Sequence, residues 1–317
     1  MLHNFPANYE IHENWFTIYP MKMVLLGTGT SHGVPVIGCN CKVCRSEDPR
    51  DNRLRCSAYL QEPAGILIDV GPEFRIQALR YKINRVDALL LTHAHADHLH
   101  GIDDLRIFSH SKAYDPHNRS ARETEGNGLP VYSHNSVIED IKHRFSYIFK
   151  EVRQGGGKPK INALATECYN ESNPIKINGV EVLPVLIKHG YLDDSGWILR
   201  EKKGDGYRSI VYLTDLNSIP AASIDLICSF AGHIEHLVID GLRILPHSTH
   251  FSFEQALELA DRLKPGNVHL THITHNLFHW QVQEYVDAII SRYPNLEAAK
   301  NNGGSVGPAY DGLEMVC

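Results

Sequence analysis

Apolar residues along this chain fall into short runs of strand length, and several of those runs end on Asp, His or Thr. The stretches Met21 to Gly27, Gly65 to Asp69, Ala88 to Thr92, Val180 to Ile187, Ser209 to Thr214, Leu237 to Asp240 and Val268 to Thr271 read as strands. Between them, apolar positions recur at helical spacing over Phe74 to Tyr81, Leu99 to Phe108, Val137 to Phe149, Phe253 to Leu263 and Val282 to Tyr293. Strands alternating with helices in both halves predict a layered α/β sandwich. A polar residue at the exit of a buried strand projects from the sheet edge, where active sites of such folds gather.

Three stretches break the pattern. Residues 1 to 20 are polar and aromatic without a sustained period and read as an N-terminal extension. Ser109 to Gly128 is polar, and Gly155-Gly-Gly-Lys-Pro-Lys leads into an expected loop up to Pro174. Long loops of this kind are usually functional insertions. Ile198 to Tyr212 reads as a hairpin with Lys202-Lys-Gly-Asp-Gly at its tip. With no repeat and no linker, residues 21 to 317 are expected to form a single domain with insertions near 109 to 128 and 155 to 174.

Composition narrows the function class. At 317 residues the chain can bury a full core, and a formal charge of -6 supplies no field that would attract a long polyanion. A small anionic substrate is allowed. No apolar run approaches the roughly 20 residues needed to cross a bilayer, and Met1 to Pro20 lacks the basic and apolar order of a secretion signal. The expected location is the cytoplasm, with no membrane partner.

Candidate chemistry is densest at Thr92-His93-Ala-His95-Ala-Asp97-His98, directly after an apolar strand. Core strands are otherwise apolar, so three imidazoles and a carboxylate in six residues point to metal. His93 and His95 face one way at the strand end, while Asp97 and His98 open the next helix and can address a second point nearby. That arrangement suits two cations, and these donors suit zinc or manganese alike.

The sequence His-x-His-x-Asp-His resembles the signature of the metallo-β-lactamase superfamily. The resemblance implies a four-layer αβ/βα sandwich. It further implies that His93, His95 and His189 bind one metal, that Asp97, His98 and His272 bind the second, and that Asp215 bridges both. Asp69 matches an early aspartate that orients ligands from behind. Taken singly, Asp69 and Asp215 could cap turns, and His189 could be a surface residue before Gly190.

A second candidate site lies in Cys39-x-Cys41-x-x-Cys44, three of the seven cysteines. In a reducing compartment this spacing favours a structural zinc, which needs a fourth ligand. His275, three residues past His272, is the choice. With Leu26-Gly27-Thr28-Gly29-Thr30 ahead of it, the cysteine loop is similar to that of the phosphoribosyl cyclic phosphodiesterases of bacterial phosphonate breakdown, over about Met23 to Trp280. His250 in His247-Ser-Thr-His250 matches their proton-donating histidine, although either His247 or His250 could simply cap a turn.

What the resemblance implies is a hydrolase with two divalent catalytic metals, Zn or Mn, and one structural Zn. It would cut a small phosphodiester, cyclic or linear, by attack of a hydroxide shared between the metals, with Asp97, Asp215 and His250 as its catalytic residues. A homodimer is allowed. The alternatives are an endoribonuclease of the tRNA 3'-end type, which the acidic balance disfavours, and a non-catalytic metal-binding relative from cofactor biosynthesis.

Overall fold

In a computed structural model of the protein, the described residues are 20 to 109, 128 to 150 and 158 to 317. Among them, fourteen strands form two sheets of seven. The first contains β1 (Lys22–Gly27), β2 (Ser57–Glu62), β3 (Ile66–Ile68), β4 (Ala88–Leu90), β5 (Leu129–Ser133) and β6 (Ile161–Ala165) in chain order. The second runs from β7 (Ile175–Ile177) and β8 (Val180–His189) through β9 (Leu192–Lys203), β10 (Gly206–Leu213) and β11 (His233–Asp240) to β12 (Asn267–Thr271) and β13 (Val306–Pro308). The last strand, β14 (Glu314–Val316), crosses back to pair with β1 at the edge of the first sheet.

Three apolar layers explain why the sheets stack. Met23, Leu60 and Ile66 of the first sheet meet Val182, Trp197 and Tyr212 of the second in a central core. On one outer face, Leu67, Leu89 and Val131 pack against α1 (Phe74–Arg80) and α4 (Asn135–Arg144). On the other, Val211, Leu237 and Leu270 pack against α6 (Ala221–Phe230), α7 (Phe253–Leu263), α8 (His279–Ile289) and α9 (Pro294–Asn301). Helix, sheet, sheet, helix is the four-layer αβ/βα sandwich expected from the sequence. Each fully buried large apolar side chain contributes about 1.5–3 kcal/mol relative to exposure, so Trp197 and Phe74, both buried, anchor two of these layers.

Sheet direction positions the site. Strands β3 to β6 run parallel, as do β10 to β13, which requires crossover connections and sends several strand exits to one edge. The exits carry Asp69 after β3, Thr92 and His93 after β4, His189 at the end of β8, Asp215 after β10, Asp240 at the end of β11 and His272 after β12. Asp69, Asp215 and His272 are left-handed there, with φ of 59°, 54° and 58°. Such backbone costs on the order of 1–3 kcal/mol per residue and persists where the surroundings over-determine it.

Several element readings need correction. The stretch expected to be a loop up to Pro174 carries β6, whose five residues are all half-buried and so show no alternation. The helix expected over Leu99 to Phe108 is broken into α2 (Ala96–Leu99), a 3-10 turn over Ile102–Leu105 and α3 (Arg106–Ser109). Helix Phe253 to Leu263 has the bounds expected, because Ser252 and Gln255 form a reciprocal cap at its start. Most of the Ser109 to Gly128 stretch and the N-terminal extension lie outside the described residues. No helix among the described residues is long and apolar enough to cross a membrane.

Candidate metal centre

The strand exits bring together every residue singled out for the dinuclear site. Donor atoms of His93, His95 and His189 lie within 4.8 Å of one another, as do those of Asp97, His98 and His272, and those of His93, His98 and Asp215. Asp215 stands between the sets: its Oδ2 is 3.2 Å from His98 Nε2 and its Oδ1 3.2 Å from His272 Nε2. His93 Nε2 lies 2.9 Å from His95 Nδ1. The two sheets are clipped together at this edge, where the Ser195 amide on β9 donates to the Thr92 carbonyl at 2.9 Å.

Buried groups behind the cluster fix which ring nitrogen faces it. Asp69, fully buried, accepts from the Thr92 amide at 2.8 Å and from its hydroxyl at 2.9 Å. The same carboxylate lies 2.7 Å from His98 Nδ1, so that nitrogen donates and Nε2 turns to the cluster. His189 Nδ1 donates to the Thr249 carbonyl at 2.9 Å, which likewise frees its Nε2. Asp69 therefore lies behind the His98 ring, on the side turned away from the cluster.

Electrostatics follow from burial and crowding. Burial alone would push the Asp215 carboxyl up, but the imidazoles of His272, His98 and His93 outweigh it and hold the group well below the usual carboxylate range. For His98, burial is outweighed by Asp215 and Asp69, which raise its proton affinity well above that of a free imidazole. His93 and His272 are pushed down, chiefly by burial, His272 to about 4. His93 and His272, held neutral by burial beside a carboxylate held ionised, are donors suited to a divalent cation.

The residues present fit such ions. His98 Nε2 and both ring nitrogens of His272 are buried with no hydrogen-bond partner, and an unpaired buried polar atom costs about 1–3 kcal/mol unless something occupies it. Donor atoms of His189, Asp215 and His250 also fall within 4.8 Å of one another, so His250 stands at the rim of the same cluster. Its Nδ1 is 2.9 Å from Asp240 Oδ2, and Asp240 also accepts from the Leu216 amide at 3.0 Å.

The cysteine loop comes together with its expected fourth residue. His275 Nδ1 lies 3.5 Å from Cys39 Sγ, 3.5 Å from Cys41 Sγ and 3.3 Å from Cys44 Sγ. Sulfur and nitrogen ligands bound tetrahedrally to one zinc stand about 3.5 Å apart, given Zn–S near 2.3 Å and Zn–N near 2.0–2.1 Å. The amide of Cys44 donates to Cys41 Sγ at 3.4 Å and lowers that thiol to about 6, while burial pushes the Cys44 thiol up to about 11. Cys56, Cys168, Cys228 and Cys317 stand outside this cluster.

Two residues of the site had escaped the sequence reading. Asp240 ends β11 in Val-Ile-Asp, the same apolar-apolar-acid exit as Leu-Ile-Asp at Asp69, and that likeness could have found it. Asp194 lies near the start of β9, 3.5 Å from His93 Nδ1, and burial pushes its carboxyl up to about 8. Only the fold reveals that neighbour.

Comparison with known proteins bears on the family and the fold. A family model described as the beta-lactamase superfamily domain matches residues 65–273. An octanoyltransferase of Porphyromonas gingivalis (strain ATCC BAA-308 / W83) is 34% identical over 289 residues, 90% of this chain and 52% of that protein. The chain thus spans about half the length of the curated relative it matches. A crystal structure of a diphosphatase from the PhnP family is 32% identical, with a TM-score of 0.71 over 94% of this chain and 97% of that one. Zinc-bound PqqB from Methylobacterium extorquens, 15% identical with a TM-score of 0.61 over 93% and 99% of the two chains, shares the fold. So does the short form of human tRNase Z, 16% identical with a TM-score of 0.57 over 93% and 98%. The motif His93-x-His95-x-Asp97-His98, the four layers and the matched residues together establish that the chain belongs to the metallo-β-lactamase superfamily.

Proposed function

We propose that the chain is a dinuclear metal-dependent hydrolase of small phosphodiesters, cyclic ones included. The observation that carries this reading is Asp215, lodged between His98 and His272 with buried ring nitrogens on both sides that make no hydrogen bond. His93, His95 and His189 would hold one divalent ion, Asp97, His98 and His272 the other, and Asp215 both. When bound, such a pair supplies Lewis acidity that lowers the pKa of water and neutralises charge developing on phosphoryl oxygens. Zinc and manganese both suit these donors.

The chain's own groups orient and move protons. Asp69 and the Thr249 carbonyl fix the Nδ1–H tautomers of His98 and His189. Asp240 does the same for His250, which leaves the Nε2–H of a protonated His250 to donate to a phosphate oxygen or to the departing alkoxide. Burial lowers the His250 proton affinity, but the hydrogen bond and charge of Asp240 outweigh it and raise the pKa. A general acid with raised proton affinity suits leaving-group protonation.

Likeness to the PhnP-family diphosphatase, at 32% identity over nearly the whole chain, favours a second reading in which the scissile link is a diphosphate. Both need the same cations and the same His250. The transferase activity named for the Porphyromonas relative has no place in this proposal. Turnover of an aryl phosphodiester, cyclic nucleotides, cyclic sugar phosphates, a dinucleoside diphosphate and RNA, with zinc or manganese added, tests the assignment. Hydrolysis of a small diester is expected, together with at least about 10³-fold loss in Asp215→Ala, equivalent to about 4 kcal/mol of lost transition-state stabilisation. No turnover of any phosphoester by metal-loaded protein would refute it, and exclusive cleavage of the diphosphate would select the second reading.

A further inference from the structure

The β8–β9 hairpin carries two adjacent aspartates that meet opposite fates. Asp193 is exposed and pairs with Lys188 on the neighbouring strand. Asp194 is 2% exposed, and its Oδ2 has no hydrogen-bond partner. The ladder does not need that side chain, since β9 is held by backbone pairing to β8 and by the Ser195 amide donating to Thr92. With no cation beside it, burial keeps this carboxyl protonated up to about pH 8, and it ionises where a positive charge arrives.

That charge arrives at His93. The Thr92 hydroxyl has one proton, and Asp69 takes it at 2.9 Å. The hydroxyl oxygen can therefore only accept at its other contact, 2.9 Å from His93 Nδ1. His93 is thereby fixed with its proton on Nδ1 and a bare lone pair on Nε2, which faces His95 at 2.9 Å. An imidazole that gives this lone pair to a cation becomes more positive, most of all at Nδ1–H. The acid standing 3.5 Å from that atom is Asp194.

We propose that Asp194 is a positioning residue for the cation held by His93, His95 and His189, stabilising His93 as a ligand through the charge it places beside Nδ1. The proposal rests on the dinuclear reading of the site. It makes Asp194 the third member of a set with Asp69, 2.7 Å from His98 Nδ1, and Asp240, 2.9 Å from His250 Nδ1. Each carboxylate backs an imidazole at the nitrogen turned away from the cluster, an arrangement that raises ligand basicity. At 3.5 Å the Asp194 interaction is one of charge, while the hydrogen bond to Thr92 supplies the direction.

Zinc affinity measured by competition with a chromophoric chelator, on the full chain and without substrate, tests this. Asp194→Ala should weaken one zinc equivalent by about 10- to 100-fold and leave the remaining equivalents as in the parental protein. Asp194→Asn, which keeps the shape and loses the charge, should weaken the same equivalent. The melting temperature of the metal-free variants should be no lower than the parental value, because the ladder holds β9 without this side chain and the group removed was buried without a partner. Unchanged zinc affinity in both variants would overturn the proposal, whether or not the metal-free protein had become less stable. A parental protein that bound zinc only at its cysteines would instead bring down the dinuclear reading, and this proposal with it.

Discussion

His272 and His275 leave one loop toward two different centres: His272 Nε2 stands 3.2 Å from Asp215 Oδ1, and His275 Nδ1 stands 3.3 Å from Cys44 Sγ. The backbone between them is tied to the opening loop of the chain, where the Ile273 amide donates to the Thr28 carbonyl at 3.0 Å. A disturbance at the cysteines is expected to reach the end of β12 through this short loop, where His272 is held in a left-handed turn.

Loss of one thiolate should act on stability before activity. Because a structural zinc contributes folding free energy directly, Cys41→Ser is expected to cost about 3 kcal/mol or more and lower Tm by about 4–5 °C or more. Below the new Tm, kcat should fall less than tenfold, and KM should rise if the His272 loop loosens. Calorimetry with and without added zinc checks this, and an unchanged Tm would count against zinc at the cysteines.

His250 and Asp240 should separate chemistry from metal binding. His250→Ala is expected to lower kcat by about 10²–10⁴-fold, the range for a lost general acid, while the metal content stays at the parental value. Asp240→Asn should lower kcat less, because the imidazole remains but loses the carboxylate 2.9 Å away that orients it. Metal analysis beside steady-state kinetics decides the matter, and parental turnover by His250→Ala would show that His250 moves no proton.

His279 should make stability fall in mild acid. Its ring accepts from the buried Arg53 guanidinium at 3.2 Å, and its own amide donates to Asp51 at 2.6 Å. Burial, aided by Arg53 and Arg50, pushes its pKa down to about 4 from the ordinary 6.5. With the folded value below the unfolded one, the unfolded chain binds the extra proton first. This contribution to stability is complete above pH 6.5 and disappears as pH falls from there to about 4. His279→Gln keeps an acceptor for Arg53 and removes the titration, so its urea midpoint should decline less over that interval. Identical pH profiles for the two proteins would exclude His279 as a source of acid lability.

Much of the site was legible because metal chemistry writes itself in residue types. His93, His95, Asp97 and His98 sit within six residues after an apolar strand, and Asp69, His189, Asp215 and His272 each follow a recognisable run. Strand-exit placement is a local property, fixed by the apolar run that precedes it. The cysteine triplet was legible for the same reason.

What remained hidden is of another kind. Edge strand β6, half-buried at every position, shows no alternation to read, and β14 pairs with β1 across nearly the whole chain. Asp194 resembles any hairpin aspartate until β9 is laid beside Thr92, and Asp240 acquires its partner only when His250 returns to the same sheet edge. The sequence by itself determined which donors exist, their order and the layered sandwich that carries them, because strand period, helix period and ligand chemistry are local. Tertiary structure alone decided which carboxylate stands behind which imidazole, since that depends on how two sheets from distant parts of the chain are set edge to edge.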